Sequence, residues 1–197
     1  MQEHNHPITK ALASLFQSIA ADPDKLTVHE RLIGNVLEVT AEPSIRDVRL
    51  MIGKQGKTIL GIRHVAERMG KRAGIEVKVE VRDSFRGESN PEWKGFTVNR
   101  EWKGAELTGL VREFLDLIYG RLIRIVYEDK SDQLLVVLDV PHEDLTLVKA
   151  MGVAFYPFGY RNGRKLSFRV ANYQPQEHEH KETDSVGLPP GVARRMA

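Results

Sequence analysis

Four consecutive residues, Gly53, Lys54, Gln55 and Gly56, are the best-placed group for chemistry in this chain. Two glycines three apart let the backbone turn tightly, and without Cβ atoms they let another backbone come close. The apolar run Leu50-Met51-Ile52 ends at the first glycine, and a long amphipathic segment opens after the second. A helix beginning near Lys57 points its N–H groups and the positive end of its dipole into the gap. Lys54 and Lys57 place full positive charges on either side. Such a place suits a phosphate. The spacing is not that of a G-x-x-x-x-G-K-[ST] nucleotide loop.

Charge gathers around the same turn. Between Arg49 and Arg72 stand Arg49, Lys54, Lys57, Arg63, Arg68, Lys71 and Arg72 against Glu67, seven cations and one acid in 24 residues, a net +6. The whole chain carries +2, so the remainder sums to −4. A solvated helix face is the plain reading of such a run; its concentration around the glycines favours an anion-binding patch.

Other chemistry has little support. H-E-x-x-H and G-x-S-x-G are absent, and with no cysteine there is no disulfide, thiolate zinc site or cysteine nucleophile. His29 and His142 have no partner that sequence can fix in space, and His64 falls in the basic helix. His178-Glu179-His180, with His4 and His6, forms a polar tract without the fixed geometry of a metal site. The chain is therefore expected to be no enzyme, with no metal, no cofactor and no small-molecule substrate.

The elements that hold the turn follow from periodicity. Ile8, Leu12, Leu15, Phe16 and Ile19 lie at helical spacing after Pro7, and Asp22-Pro23-Asp24 ends the run. Leu26 to Ile33 and Asn35 to Ala41 read as strands joined at Gly34-Asn35. Pro43 and Ser44 begin a short helix, Ser44 capping it with Asp47 three residues on, and Gly53 stops it. Ile59, Ile62, Ala66 and Met69 trace a second helix up to Gly74. Ile75 to Arg82 alternates apolar and charged residues throughout, the mark of a strand. The order is α-β-β-α-turn-α-β, which buries its stripes if the helices cover one face of a three-stranded sheet.

Residues 8–82 resemble a type II KH domain, and in proportion the small stand-alone bacterial KH proteins of the KhpA type. The resemblance rests on Ala21-Asp22-Pro23-Asp24-Lys25, on Met51-Ile52-Gly53-Lys54-Gln55-Gly56-Lys57-Thr58-Ile59 and on Ile62-Arg63. It implies single-stranded RNA held without catalysis in a cleft between the G-x-x-G edge and the sheet. The implied contacts are Ile52, Gly53, Lys54, Gln55, Gly56, Lys57, Thr58, Ile59 and Arg63, with Ile52, Ile59 and Ile62 walling the groove. Small KH proteins of this type often act with a larger partner, so a protein partner or a homodimer is a further expectation.

A second unit follows. Asp83 to Lys103 loses periodicity and reads as a linker, with Trp93, Phe96 and Trp102 pinning it to a domain surface; base stacking is their alternative role. Leu107, Leu110, Val111, Phe114, Leu115 and Ile118 mark a helix closed by Gly120. Leu122 to Tyr127 and Leu134 to Val140 read as strands around a turn at Glu128 to Asp132. Pro141 begins a helix that Gly152 ends, and Lys165 to Val170 is a last strand. Pro43 stands ten residues before Gly53, and Pro141 eleven before Gly152. The order repeats the first unit minus one helix, an internal duplication whose copy has lost the second glycine and the lysine. Phe155, Tyr156, Phe158 and Tyr160 are expected to cover the sheet in place of the missing helix; the alternative is a stacking platform or partner surface helped by Arg161, Arg164 and Lys165.

The fold class expected is α+β: a type II KH domain (α-β-β-α-α-β, a three-stranded sheet with helices on one face), then a smaller, degenerate KH-like α+β domain. The divisions are a tail over 1–7, the KH unit over 8–82, a linker over 83–103, the degenerate unit over 104–172 and a disordered tail over 173–197. No apolar run reaches membrane-spanning length, and the amino terminus shows no secretory signal. No membrane association and a cytoplasmic location are therefore expected. The function expected is non-catalytic RNA binding. Its alternative is an assembly scaffold that keeps a vestigial turn and grips a protein with its second unit.

Overall fold

Pro7 opens the first helix, where its missing N–H is not needed. In the computed structural model, which describes residues 6–82, 104–120, 123–130, 133–161, 163 and 165–171, this helix is α1 (Pro7–Ile19). His6 caps it, its Nδ1 accepting the Ile8 N–H at 3.2 Å, so Pro7 belongs to the fold rather than to a tail. Ile8, Leu12, Leu15, Phe16 and Ile19 are all buried. β1 (Thr27–Ile33) and β2 (Val36–Glu42) form an antiparallel hairpin, from Thr27 opposite Glu42 to Ile33 opposite Val36. Then come α2 (Ile45–Ile52), α3 (Lys57–Ala73) and β3 (Glu76–Val81), and β3 lies parallel to β2 at the edge of the sheet β1-β2-β3.

Ser44 precedes α2 as expected, yet makes no side-chain cap there. Its hydroxyl donates to Asp47 at 2.9 Å, while Asp47 also accepts the N–H groups of Ala21 and Asp22 at 2.6 and 3.0 Å. Asp47 is fully buried, and a buried carboxylate has to be satisfied by hydrogen bonds. Three donors do so here, which fastens the corner after α1 to the first turn of α2.

The second unit repeats this plan. α4 (Gly104–Tyr119) leads to β4 (Ile125–Lys130) and β5 (Gln133–Leu138), followed by α5 (Leu145–Ala154), α6 (Tyr156–Arg161) and β6 (Lys165–Val170). β4 pairs antiparallel with β5 and β6 parallel with β5. Strand order and sense thus match the first sheet. The chain is α+β with two small three-stranded sheets.

Three details of the second unit depart from the sequence reading. Glu128 to Lys130, read as turn, continue β4 and pair with Leu135, Leu134 and Gln133; β4 is an edge strand, where charged residues are tolerated. Gly152, expected to end a helix, lies inside α5, which runs on to Ala154. The helix expected to be missing is present as α6. Pro157 stands at its second position, where no donor is required, and Gly159 is buried.

The two units meet along α3 and α5. Gly61 sits so close to α5 that a Cβ there would lie 2.9 Å from the Ala150 carbonyl oxygen and 3.0 Å from the Ala154 nitrogen. Farther along, Arg68 bonds Asp144 at 2.7 Å, so the helices run antiparallel. Tyr119 donates its hydroxyl to the other oxygen of Asp144 at 2.7 Å. Arg72 donates to the Tyr119 carbonyl at 2.9 Å, and Arg161 to the Ser18 carbonyl at 3.4 Å. Each unit therefore sends an arginine to the end of the other's first helix. The buried apolar side chains of both form one continuous core. The expected linker with Trp93, Phe96 and Trp102, the expected disordered tail, and Arg164, Leu122, His4, His178 and His180 lie outside the described residues.

Candidate nucleic-acid interface

Gly53 ends α2, its N–H bonding the Arg49 carbonyl at 2.8 Å, with φ 75 and ψ 173. That conformation is essentially restricted to glycine. Close approach adds a second requirement: a Cβ at Gly53 would collide with the Thr58 Oγ1 and stand 2.8 Å from the Thr58 nitrogen. Lys54–Gly56 then form one 3₁₀ turn, closed by Gly56 N–H to Gly53 O at 3.1 Å. Gln55 (φ 55, ψ 29) and Gly56 (φ 75, ψ 9) are both left-handed. Among the described residues, Gln55 is the one non-glycine with positive φ, a strain of about 1 kcal/mol or more. At Gly56 a Cβ would meet nothing within 4 Å, so there the φ alone calls for glycine.

The expected site residues sort into three groups. Lys54, Gln55 and Lys57 are exposed at the tip, ahead of a helix whose first turn has no side-chain cap and no acid. Thr58 is buried beneath Gly53 and supports the turn from below. Ile52 is half-buried, but Ile59 is 6% exposed and Ile62 is 0% exposed. Ile62 therefore faces the core and does not wall a groove, and Ile59 nearly so. The apolar side chain that α3 does present is Leu60, 57% exposed. Its position off the apolar stripe was the available signal: a large aliphatic residue on the polar face of an amphipathic helix.

Arg63, one turn along α3 from Leu60, donates its Nε to the Val79 carbonyl of β3 at 2.8 Å. β3 is an edge strand, and the exposed guanidinium holds the helix against it with further N–H donors directed outward. The +6 charge thus has two destinations. Arg68 and Arg72 join the units. Arg49, Lys54, Lys57 and Lys71 are exposed around the turn and along α3.

The corresponding part of the second unit is built differently. Phe155 is buried edge-on against Phe114, centroids 5.3 Å apart, and tilted against Phe168 at 5.6 Å. Phe158 is buried too. Two of the four expected rings thus pack toward the second sheet, Phe155 just ahead of α6 and Phe158 within it. Tyr156 and Tyr160 instead are 53% and 48% exposed and stack on each other at 6.3 Å and 22°.

Elsewhere, His29 stands 3.7 Å from Glu42 across β1 and β2, a partner invisible to sequence, and Arg82 reaches the same carboxylate. No helix among the described residues is long and apolar enough to cross a membrane. The chain matches no family model and no curated protein.

Proposed function

We propose that this chain is a non-catalytic, cytoplasmic RNA-binding protein whose first unit is a type II KH module and whose second is a degenerate copy of it. The observation that carries the reading is the turn itself. An exposed lysine and a left-handed glutamine project directly ahead of the uncapped first turn of a 17-residue helix. Phosphates of a single strand lie against Lys54, Lys57 and the N–H groups of that turn. Ile52 meets the bases on the flank closed by Arg63 and the edge strand β3. A duplex does not fit this arrangement, because its bases are already paired and stacked.

The scaffold alternative has less support. Of the partner surface expected on the second unit, Phe155 and Phe158 are buried in the core and Arg161 is tied to Ser18 of α1.

The test is Lys54→Asp combined with Gln55→Asp. Both side chains are exposed, and aspartate tolerates left-handed backbone. The melting temperature is expected to stay within a degree or two, while affinity for a short single-stranded RNA falls by about tenfold or more. Unchanged affinity overturns the reading, and so does equal or tighter binding of a perfect duplex by the unmodified chain. Binding is expected to weaken with salt at a logarithmic slope of ~0.7 per phosphate neutralised.

A further inference from the structure

We propose a second subsite for the same strand: Tyr156 and Tyr160, with Val153 just before them, stack bases that continue past the glycine turn on its α5 side. The inference rests on the RNA-binding reading of the turn.

Geometry brings these residues to the turn. Because α3 and α5 run antiparallel, with Gly61 against Ala150 to Ala154 and Arg68 against Asp144, the first turns of α3 lie beside the end of α5. There α6 begins. A Cβ at Gly61 would lie 3.2 Å from that of Val153. At ~1.5 Å of rise per residue, Lys57 is about 6 Å from Gly61 along the helix. Among the described residues, seven large apolar side chains are well exposed, and Val153, Tyr156 and Tyr160, which follow one another from the end of α5 into α6, are three of them.

The platform is also held in place. Tyr156 and Tyr160 are four apart, which puts them on one side of α6, and their rings already stack at 6.3 Å. Phe155 and Phe158 root the segment in the core, while Arg161 ties its end to Ser18 of α1. A ring that is fixed before binding loses little entropy when a base lands on it.

Charge selects the occupant. From Leu145 to Val170 the chain has no acid and five cations: Lys149, Arg161, Arg164, Lys165 and Arg169. Exposed phenol rings in a segment of that charge suit a single-stranded nucleic acid, since every base offers a π face and every linkage a negative charge. The site therefore extends the strand held by Lys54 and Lys57 toward the second unit, on the flank of α3 opposite Arg63.

The experiment compares an adenosine tetramer with an adenosine decamer on the full chain, on Tyr156→Ala/Tyr160→Ala and on Tyr156→Phe/Tyr160→Phe. The tetramer reports the turn; the gain from tetramer to decamer, beyond the statistical gain from the decamer's several four-nucleotide registers, reports the new subsite. The unmodified chain is expected to bind the decamer about tenfold tighter than that statistical gain accounts for. The alanine variant loses that gain and keeps its tetramer affinity, while the phenylalanine variant, whose rings still stack, keeps both. A decamer gain that survives the alanine changes overturns the subsite while leaving the turn intact, as does tetramer affinity falling equally with them. A chain that binds neither oligomer overturns the turn itself. Should the double alanine variant fail to fold by circular dichroism, Tyr156→Ala alone, at the more exposed ring, makes the same comparison.

Discussion

Gly53 to Gly56 and Gly152 to Phe155 occupy equivalent places in two units of the same strand order, and they are opposites. The first breaks its helix, takes two glycines through positive φ and sets lysines in water. The second keeps its helix to Ala154 and drives Phe155 into the core. A glycine at the head of each segment is common to both, but the conformation is not: Gly53 has φ 75, whereas Gly152 is an interior helix position. An open turn therefore takes two left-handed residues and a small contact beneath it, and one glycine alone does not produce it.

The largest test of that contrast is to add one methyl group to each glycine. Gly53→Ala meets both the forbidden φ and the collision with Thr58, and is expected to cost about 4 kcal/mol in urea-induced unfolding. Gly152→Ala meets Phe168 at an unstrained 3.9 Å. It is expected to stabilise by ~1 kcal/mol, as alanine does inside a helix. Equal signs for the two would mean that the turns differ less than their geometry indicates.

Next in size is the bond that holds the regions together. Arg68→Ala leaves Asp144, only 11% exposed at its side chain, with Tyr119 as its remaining donor in this cluster. A loss of about 2 kcal/mol is expected, read from the same unfolding curves. An unchanged midpoint would show that apolar packing alone joins α3 to α5.

The smallest effect separates the two leading helices. α1 has no acid, whereas α4 carries Glu113, whose carboxyl is pushed above its ordinary value by burial. The folded state then holds that proton more tightly than the unfolded chain. Stability accordingly falls as pH rises from about the ordinary glutamate value of 4.5 through the higher folded value, and stays lower above it. Glu113→Gln is expected to raise the melting temperature slightly at neutral pH and to lose that advantage in acid. An advantage that persists in acid would assign the gain to packing.

What sequence revealed and concealed follows the range of each interaction. Gly53 and Gly74 punctuate helices through their own φ, and β3 declares itself by strict alternation, so local residues sufficed. Arg68 looked like one more charge on a basic face, because Asp144 is 76 residues away. Asp47 looked like part of a helix cap, because the corner it holds at Ala21 lies 26 residues back. α6 was hidden by composition: Pro157 and Gly159 in six residues argue against a helix in isolation, and burial of Phe155 and Phe158 outweighs that preference. Ile62 was assigned to a groove from its place beside the turn, when its phase on α3 already put it with Val65 and Met69 in the core.

The reciprocal arginine ties, Arg72 to Tyr119 and Arg161 to Ser18, have one more consequence. Joined by covalent chain, two such units fold as one molecule, and their union does not weaken on dilution as a pair of separate subunits does. The genetic consequence is as large. In a pair of identical subunits, one stretch of gene encodes both turns, and any change alters the two together. Here each turn has its own codons. One can be open and lysine-bearing while the other closes over Phe155, which gives the molecule a front and a back.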